Sequence, residues 1–338
     1  MSAIKASVAL CTYNGERYLK EQLESFGRQS HLPFELVVGD DASSDQTLEI
    51  IESFARTAPF PVRIFHRDRV GYRANFVQTA AACAGDVVFF SDQDDVWVDE
   101  KMARICRAFA ENPDAQLYYH NATVVAADGE GTGLLLDGAE QRMRVGQQPM
   151  PVWHFTLGFT QAFRRELLDY QALWPLSRDH MTDAVMAHDQ WYMFLAALLD
   201  GVVFIDEPLV RHRQHDTNTY GVQAVSRWRK VLSRLSHDPE WDRLAETAAR
   251  QRASVAKDIA SRSAFRRARL EGIARGYNEL ADRHARRYLA YTAPSLTQRA
   301  RCFLAAVSQH DYRGRPWGLE PKAIPRDALR GVIAGGEG

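Results

Sequence analysis

The first half of the chain alternates short apolar runs with amphipathic stretches. Ala6 to Thr12 is a β-rich run, and from Glu16 to Arg28 the residues Tyr18, Leu19, Leu23 and Phe26 fall at helical spacing. Leu36-Val37-Val38 predicts a second strand that ends at Gly39-Asp40-Asp41. The next helix carries Leu48, Ile51 and Phe54, with Ser44 or Asp45 as its N-cap. Val62 to Phe65 predicts a third strand, Asn75 to Cys83 a third helix, and Asp86-Val87-Val88-Phe89-Phe90 a short buried fourth strand. Strand–helix units of this length imply a doubly wound, mostly parallel sheet with right-handed crossovers. Leu117 to Val125 alternates as a further strand, and Gly129 to Pro151 is long, Gly-rich and irregular, either a lid or an insertion. Gly158 to Arg164 reads as a strand followed by a short helix at Arg165 to Tyr170, and Val202 to Ile205 as another strand, with Pro208-Leu209-Val210 after it.

Near Val222 the pattern becomes helical and basic. Between Ser226 and Arg301 there are 18 Lys/Arg against 8 Asp/Glu, an excess of ten positive charges. Because the whole chain of 338 residues carries a net charge of only -1, the preceding part must be acidic by a similar amount. The expected organisation is an α/β domain over 1–222, a basic α-helical region over 223–312 and a Pro/Gly-rich tail over 313–338. With 46% hydrophobic and 25% charged residues the chain can bury a real core, and its near-neutral charge gives no global pull toward nucleic acid. The four cysteines (Cys11, Cys83, Cys106, Cys302) are scattered with no C-x-x-C spacing, so neither a zinc site nor a disulfide framework is signalled. The N-terminus lacks an apolar signal segment and no run is long enough for a membrane span. A cytoplasmic protein is expected, with peripheral contact at the inner face of the cell membrane as a further option for the basic helices. There, Arg and Lys mixed with Phe, Leu and Tyr suit an anionic bilayer, and equally suit pairing with acidic partners.

The densest chemistry lies in Ser91-Asp92-Gln93-Asp94-Asp95-Val96-Trp97, directly behind the fourth predicted strand. Carboxylates at the C-terminal end of such a strand project into the crevice where open α/β sheets bind ligands. Clustered negative charges repel unless a cation is present, so Asp92 and Asp94 point to a hard divalent ion. Mg²⁺ or Mn²⁺ held by one or two carboxylates plus substrate phosphates fits such a site. The alternative is a solvated acidic turn in which Asp95 or Asp99 caps the next helix.

Four motifs occur in order: Val8 to Glu16 (VALCTYNGE), Val37 to Asp45 (VVGDDASSD), Ser91 to Asp95 (SDQDD) and His188-Asp189-Gln190-Trp191. Together they resemble family 2 inverting glycosyltransferases of the GT-A fold, most similar to bacterial rhamnosyltransferase-like members, over roughly residues 5 to 220. The resemblance implies a Rossmann-like α/β domain followed by a helical C-terminal region. It implies nucleotide contacts from Thr12, Tyr13, Asn14, Glu16, Asp40, Arg73 and Asp92, with Asp40 accepting the imide N–H of uracil or thymine. Asp94 is the implied metal ligand, joined by a late histidine, His215, with His212 competing for that place. Asp189 is the implied catalytic base, with His188 shaping the site and Trp191 either core or a platform for the acceptor sugar.

Elementary chemistry gives these assignments reasons and alternatives. Arg73 suits a diphosphate because guanidinium makes bidentate, permanently charged contacts, although it is equally a surface arginine on a first helical turn. Asp41 reads as structural, capping the helix after it, and Asn75 as a helix cap. Asp189 opens an apolar helix, which fixes it in place while the helix dipole lowers its pKa; burial beside Trp191 opposes that shift. The expected function is metal-dependent transfer of a sugar from a nucleotide-diphospho-sugar to a glycan or lipid-linked saccharide. L-rhamnose from dTDP-rhamnose leads by resemblance, although spacing does not distinguish it from a UDP-hexose. A nucleotidyltransferase acting on sugar phosphates is the alternative, and the missing Gly-rich phosphate loop in Thr12-Tyr13-Asn14-Gly15-Glu16 weighs against it.

Overall fold

The computed structural model describes residues 4–126, 131–135, 156–214, 237–312 and 321–334. The chain divides into two compact units, the first comprising Met1–Gly146, Phe155–Ala172 and Ala187–Gly221. The second gathers Gln147–His154, Leu173–Met186 and Val222–Gly338.

In the first unit, β1 (Ala6–Thr12), β2 (Glu35–Asp40) and β4 (Val87–Ser91) are buried along their whole length. Unbroken apolar runs of this kind fit strands covered on both faces by helices. The edge strand β3 (Val62–His66) is half-exposed. Helices α1 (Leu19–Gly27), α2 (Thr47–Ala55) and α3 (Tyr72–Ala81) connect these four parallel strands. The spatial order β3-β2-β1-β4 turns back at β1, since β2 and β3 lie to one side of it and β4 to the other. The C-terminal ends of β1 and β4 therefore flank a topological switch point, where sheets of this type open a ligand crevice.

Beyond β4 the sheet is mixed, completing the mostly parallel sheet expected from the sequence. The order continues through β8 (Gln161–Arg164), β6 (Leu117–Val125), β9 (Val202–Arg213) and β5 (Val96–Trp97), with β7 (Gly131–Leu134) pairing β6. Strand β8 runs antiparallel to both β4 and β6, and β9 runs parallel to β6. Two runs expected to be separate, Val202 to Ile205 and Pro208 to Val210, are one strand. A register shift opposite Asn121 absorbs Pro208, which cannot donate to the ladder. Gly158–Thr160 is a 3₁₀ turn, so the strand expected from Gly158 begins at Gln161. Strand β5 went unread in the sequence because two residues carry no periodicity. It pairs Val96 with Arg211 and Trp97 with Val210, which brings the acidic motif to the end of β9.

Helix α3 starts at Tyr72, three residues before the expected Asn75. Gly71 precedes it at φ 82°, and the Asp41 carboxylate accepts the amide N–H groups of Val70 and Gly71 at 2.6 and 3.0 Å. Asp41 thus anchors the approach to α3 and does not cap α2. Asn75 is buried within α3, and its Nδ2 donates to the Gly39 carbonyl at 2.7 Å. Helix α4 (Lys101–Glu111) packs Met102, Ile105 and Phe109 into the same core as β1 and β4. Helix α5 (His188–Leu198) is buried on all sides apart from Asp189, as expected of a helix apolar all round.

The second unit is helical: α6 (Pro239–Arg262), α7 (Arg267–Thr292), α8 (Leu296–Ser308) and a short helical segment Asp327–Ile333. Alanines 245, 248, 249, 253, 256 and 260 of α6 and 274, 281 and 290 of α7 are buried. Such small side chains let the paired helices approach closely. The positive excess is answered in part within the unit. Arg286 makes a bidentate pair with Asp311 at 2.7 and 2.8 Å, and Arg287 pairs with the buried Asp327 at 2.8 Å. Tyr291 and Tyr312 also donate to Asp327, at 2.6 and 2.9 Å. Arg250 pairs with Asp282, and Arg262 with Asp258. Asp242, fully buried, accepts from His237 and from His284 Nδ1, the latter at 2.7 Å. Among the described residues no helix is long and apolar enough to cross a membrane.

A Cβ built on Gly39 would lie 2.0 Å from Thr79 Oγ1 and 2.4 Å from Asn75 Oδ1. Gly39→Ala should therefore cost about 1–3 kcal/mol of stability through overpacking between β2 and α3. Urea denaturation monitored by circular dichroism measures this. Asp242 titrates with the opposite logic. Burial alone would raise its pKa, but hydrogen bonds from His237 and His284 and the nearby Arg287 outweigh burial and bring it to about 2. A folded-state pKa below the unfolded value stabilises above the unfolded pKa, and that stability is lost as pH falls through about 4 toward 2. The loss should reach about 2 kcal/mol at 1.36 kcal/mol per unit. Amide hydrogen exchange in α6 and α7 across that window reads it, and Asp242→Asn should flatten the dependence.

Candidate active site

Three loops meet at the C-terminal edge of the parallel strands. Tyr13 to Glu16 follow β1, Asp41 to Gln46 follow β2, and Asp92 to Asp95 follow β4. Side chain–backbone hydrogen bonds stitch them together. Asn14, in a left-handed conformation at φ 46°, receives the Ser44 amide on its Oδ1 at 2.9 Å, while its own amide donates to Ser43 Oγ. The Glu16 amide donates to Asp45, and the Gln46 amide donates back to Glu16 Oε2 at 3.0 Å. In the described structure Asn14 and Glu16 thus build the rim between two loops. Gln93 joins β4 to β1: its Oε1 accepts the Tyr13 amide at 2.8 Å and its Nε2 donates to the Tyr13 carbonyl at 3.0 Å. Gly15 is required beside it, because a Cβ there would meet Gln93 Oε1 at 2.4 Å. The Tyr13 ring is 38% exposed at this edge, and the Arg69 guanidinium lies 3.5 Å from its centroid.

Asp40 was expected to face a base. The structure instead encloses it completely, at 0% exposure, with both carboxylate oxygens engaged by Thr12, Ser43 and His66. Thr12 is likewise buried, its hydroxyl donating to Asp40 Oδ2 at 2.9 Å. A carboxylate accepting two hydrogen bonds on each oxygen has no lone pair left for a ligand. Both residues therefore support the site from beneath.

The acidic motif is held under electrostatic tension. Asp92 is pushed well above the usual carboxylate range, first by burial and then by the charges of Asp95 and Asp94. The charge of Asp189 adds to the same push, which brings the first turn of α5 into the electrostatic reach of the motif. Asp95 is buried. Its Oδ1 accepts from His212 Nδ1 at 2.8 Å, and its Oδ2 has no hydrogen-bond partner among the described residues. For His212, burial would lower the pKa, but the bond to Asp95 and the charges of Asp95, Asp92 and Asp94 prevail and raise it. Beneath the motif Lys101 is fully buried, donating to the Phe159 carbonyl at 2.8 Å with its ammonium 3.8 Å from the Trp97 ring centroid. Burial drives its pKa well down, against the pull of Asp95 and Asp92. Arg213 closes the rim, donating to Glu21 of α1 at 2.6 Å.

On the other side of the crevice, His188 stacks on Phe76 of α3 at 3.7 Å between centroids. Burial first, and then the neighbouring Arg73, push its pKa to about 3, so its ring is neutral. Arg73 is thereby placed on the first turn of α3 beside the start of α5. The Asp189 carboxylate accepts the Gln190 amide at 2.7 Å, and its carbonyl accepts from Gln161 Nε2 at 3.1 Å. Trp191 is fully buried, its indole N–H without a hydrogen-bond partner among the described residues. Of the two options left open for it, the structure takes the core, since an enclosed ring offers no face to a sugar.

A divalent ion fits this donor set. The buried Asp95 Oδ2 lacks a hydrogen-bond partner among the described residues, and the charges of Asp95 and Asp94 disfavour that of Asp92. His212, with Nδ1 turned to Asp95, keeps Nε2 for a ligand, the carboxylate–histidine arrangement of many metal sites. No group of three or more His, Cys, Asp or Glu among the described residues is close enough to hold an ion unaided. That suits an ion completed by substrate phosphates. His215 lies outside the described residues.

His66, Gln93 and Lys101 escaped the sequence. His66 ends β3 at the same edge as Thr12 and Asp40, and a polar ring closing a parallel strand was its only signal. Gln93 looked like a spacer between carboxylates. Lys101 looked like a surface residue.

The Glycosyl transferase family 2 profile matches residues 7–170. An uncharacterized glycosyltransferase of Nostoc sp. is 28% identical over 224 residues, covering 64% of this chain and 67% of its own length. The dTDP-rhamnosyl transferase RfbG of Shigella flexneri is 27% identical over 222 residues, 63% of this chain and 73% of its own. Uncharacterized relatives from Mycobacterium bovis and Mycobacterium tuberculosis are matched over 36% of their length. The crystal structure of Staphylococcus aureus TarS 1–349 in complex with UDP superposes with a TM-score of 0.52 at 17% identity, covering 82% of this chain and 90% of that one. Motif order, switch-point site and these likenesses agree: residues 7–170 form a glycosyltransferase family 2 domain, and the chain has the GT-A-like fold of its solved neighbours.

Proposed function

We propose that the protein transfers a sugar, with inversion, from a nucleotide-diphospho-sugar to a hydroxyl of a cell-surface glycan such as O-antigen or capsule. The observation that carries this is the pairing across one crevice of an acidic cluster at the end of β4 with a separately held carboxylate, Asp189, on the first turn of α5. Inverting transfer needs two things: a stabilised leaving diphosphate and a base for the incoming hydroxyl.

Asp189 is the base. Its position on a buried helix fixes it rigidly, and from there it takes the proton of the acceptor hydroxyl as that oxygen bonds to the anomeric carbon. The bond from that carbon to the diphosphate breaks on the opposite face. His188 cannot share this role, since a ring whose pKa is about 3 is a poor base at neutral pH. Arg73 supplies a fixed positive charge for the diphosphate. Mn²⁺ or Mg²⁺ would be held by Asp94 with His212 or His215, and when bound it would offset the charge on the departing phosphates. Asp92 lies toward the sugar or ribose. dTDP-L-rhamnose is the leading donor, supported by the likeness to RfbG. UDP-GlcNAc is second, since TarS has been crystallised with it.

Incubation of the protein with dTDP-rhamnose or UDP-hexoses and a saccharide acceptor, followed by product NMR, should show a glycoside of inverted configuration and free nucleoside diphosphate. Release of pyrophosphate would instead indicate nucleotidyl transfer. Asp189→Asn should keep nucleotide binding yet lower turnover by at least about a hundredfold, the scale of general-base catalysis. Loss of binding along with turnover would make Asp189 structural. Asp94→Ala, and EDTA treatment of the wild type, should each abolish both transfer and metal-dependent binding of the nucleoside diphosphate, with the thermal midpoint unchanged. Transfer that persists in EDTA would remove the metal from the mechanism.

A further inference from the structure

The ion pairs inside the helical unit leave one end of it unanswered. Helices α6 and α7 are joined by a short turn at residues 263–266, in which the Arg266 amide donates to Ser263 Oγ at 3.4 Å. Ile259, Ala260 and Leu270 are buried behind the turn, so the hairpin is fastened at its base. Phe265, in the turn itself, is 96% exposed, more than any other large apolar side chain among the described residues. One exposed ring needs no explanation by itself. Its setting supplies one.

Arg266 and Arg267 follow the ring directly. At the same end an open cavity of ≈ 580 Å³ is lined by Lys257, Ala260, Ser261, Arg267, Glu271 and Arg275, so three cations share it with a single carboxylate. Among the described residues none of Lys257, Arg266, Arg267 and Arg275 has an ion-pair partner, nor has Glu271, whereas Arg262 nearby is held by Asp258. Anionic groups would meet unpaired cations and the Ser261 hydroxyl here, and the phenyl ring beside them needs an apolar partner. Free phosphate satisfies the first need and leaves Phe265 in water. A surface that carries phosphates above hydrocarbon satisfies both.

We propose that the tip of the α6–α7 hairpin docks on an anionic lipid surface. Phe265 enters the boundary between headgroups and acyl chains, while Lys257, Arg267 and Arg275 take the lipid phosphates. One ring and a few charges give a weak, reversible and salt-sensitive attachment. Docking of this kind is independent of the transfer chemistry, since all of these residues belong to the second unit.

The test is co-sedimentation of the full chain with vesicles of phosphatidylcholine, alone or mixed with phosphatidylglycerol. Wild type should pellet with the mixed vesicles at low salt and stay in solution with phosphatidylcholine alone. It should be released at about 0.5 M salt, where the Debye length shrinks to a few ångströms. Phe265→Ala should weaken binding to the mixed vesicles by about tenfold or more, the worth of burying one phenyl ring, and Phe265→Trp should retain it. Arg267→Gln combined with Arg275→Gln should weaken it about twentyfold, roughly fivefold for each charge. All three side chains are exposed, so every variant should keep the wild-type thermal midpoint. Wild type that fails to bind mixed vesicles at low salt, or binds neutral ones equally well, would overturn the lipid surface. Undiminished binding by both Phe265→Ala and the double arginine variant would place the attachment elsewhere and overturn the role of this hairpin. If wild type holds a single-stranded polynucleotide as tightly as the mixed vesicles, and Phe265→Ala weakens neither, the tip is a nucleic-acid surface and the lipid assignment is wrong.

Discussion

Negative charge gathered where β4 stops is the constraint around which the first unit is arranged. Burial and the charges of Asp95 and Asp94 push Asp92 above the usual carboxylate range, and the fold answers this from several directions. β9 delivers His212 to Asp95 through its pairing with β5, the two residues Val96 and Trp97. Lys101 sits under the same motif against Trp97. These groups lower the repulsion without cancelling it. The remaining imbalance leaves the end of β4 electrostatically suited to a cation.

The parts of this arrangement that were legible in the sequence are those set by local pattern. β1, β2 and β4 could be read because a strand buried on both faces is apolar without interruption, and its C-terminal residue then falls at a known edge of the sheet. Asp92, Asp94 and Asp189 could be picked out because charged residues directly after or at the start of apolar elements have few other reasons to be there. Illegible parts depend on where a side chain's hydrogen bonds go. Asp40 and Asp41 are adjacent and chemically identical, yet one props up His66 and the other holds the start of α3. Nothing local separates them. β5, the continuity of β9 across Pro208 and the antiparallel half of the sheet are likewise decided by pairing between distant segments.

The C-terminal helices illustrate a different limit on pattern. Their basic excess suggested a surface for anionic partners, but many of those arginines are paired with carboxylates inside the unit itself, Arg286 and Arg287 among them. Charge counted along a sequence overstates charge available at a surface whenever the acids lie elsewhere in the chain. Asp311 and Asp327 are distant enough from α7 in sequence to escape any local count.

Gln93 gives the acidic triplet a property that a pair of carboxylates alone would lack. Its amide grips both backbone polar groups of Tyr13, so the acidic segment after β4 and the loop after β1 are held as one piece. A change at the middle position of Asp92-Gln93-Asp94 is therefore transmitted across the β1/β4 switch point rather than staying within the acidic motif. His66 stands outside this coupling, two strands away on the row through Asp40. The two ends of this edge are in that sense separately adjustable: a change at the end of β3 stays within the Asp40 row, whereas one at the end of β4 is carried by the Gln93 clamp to β1.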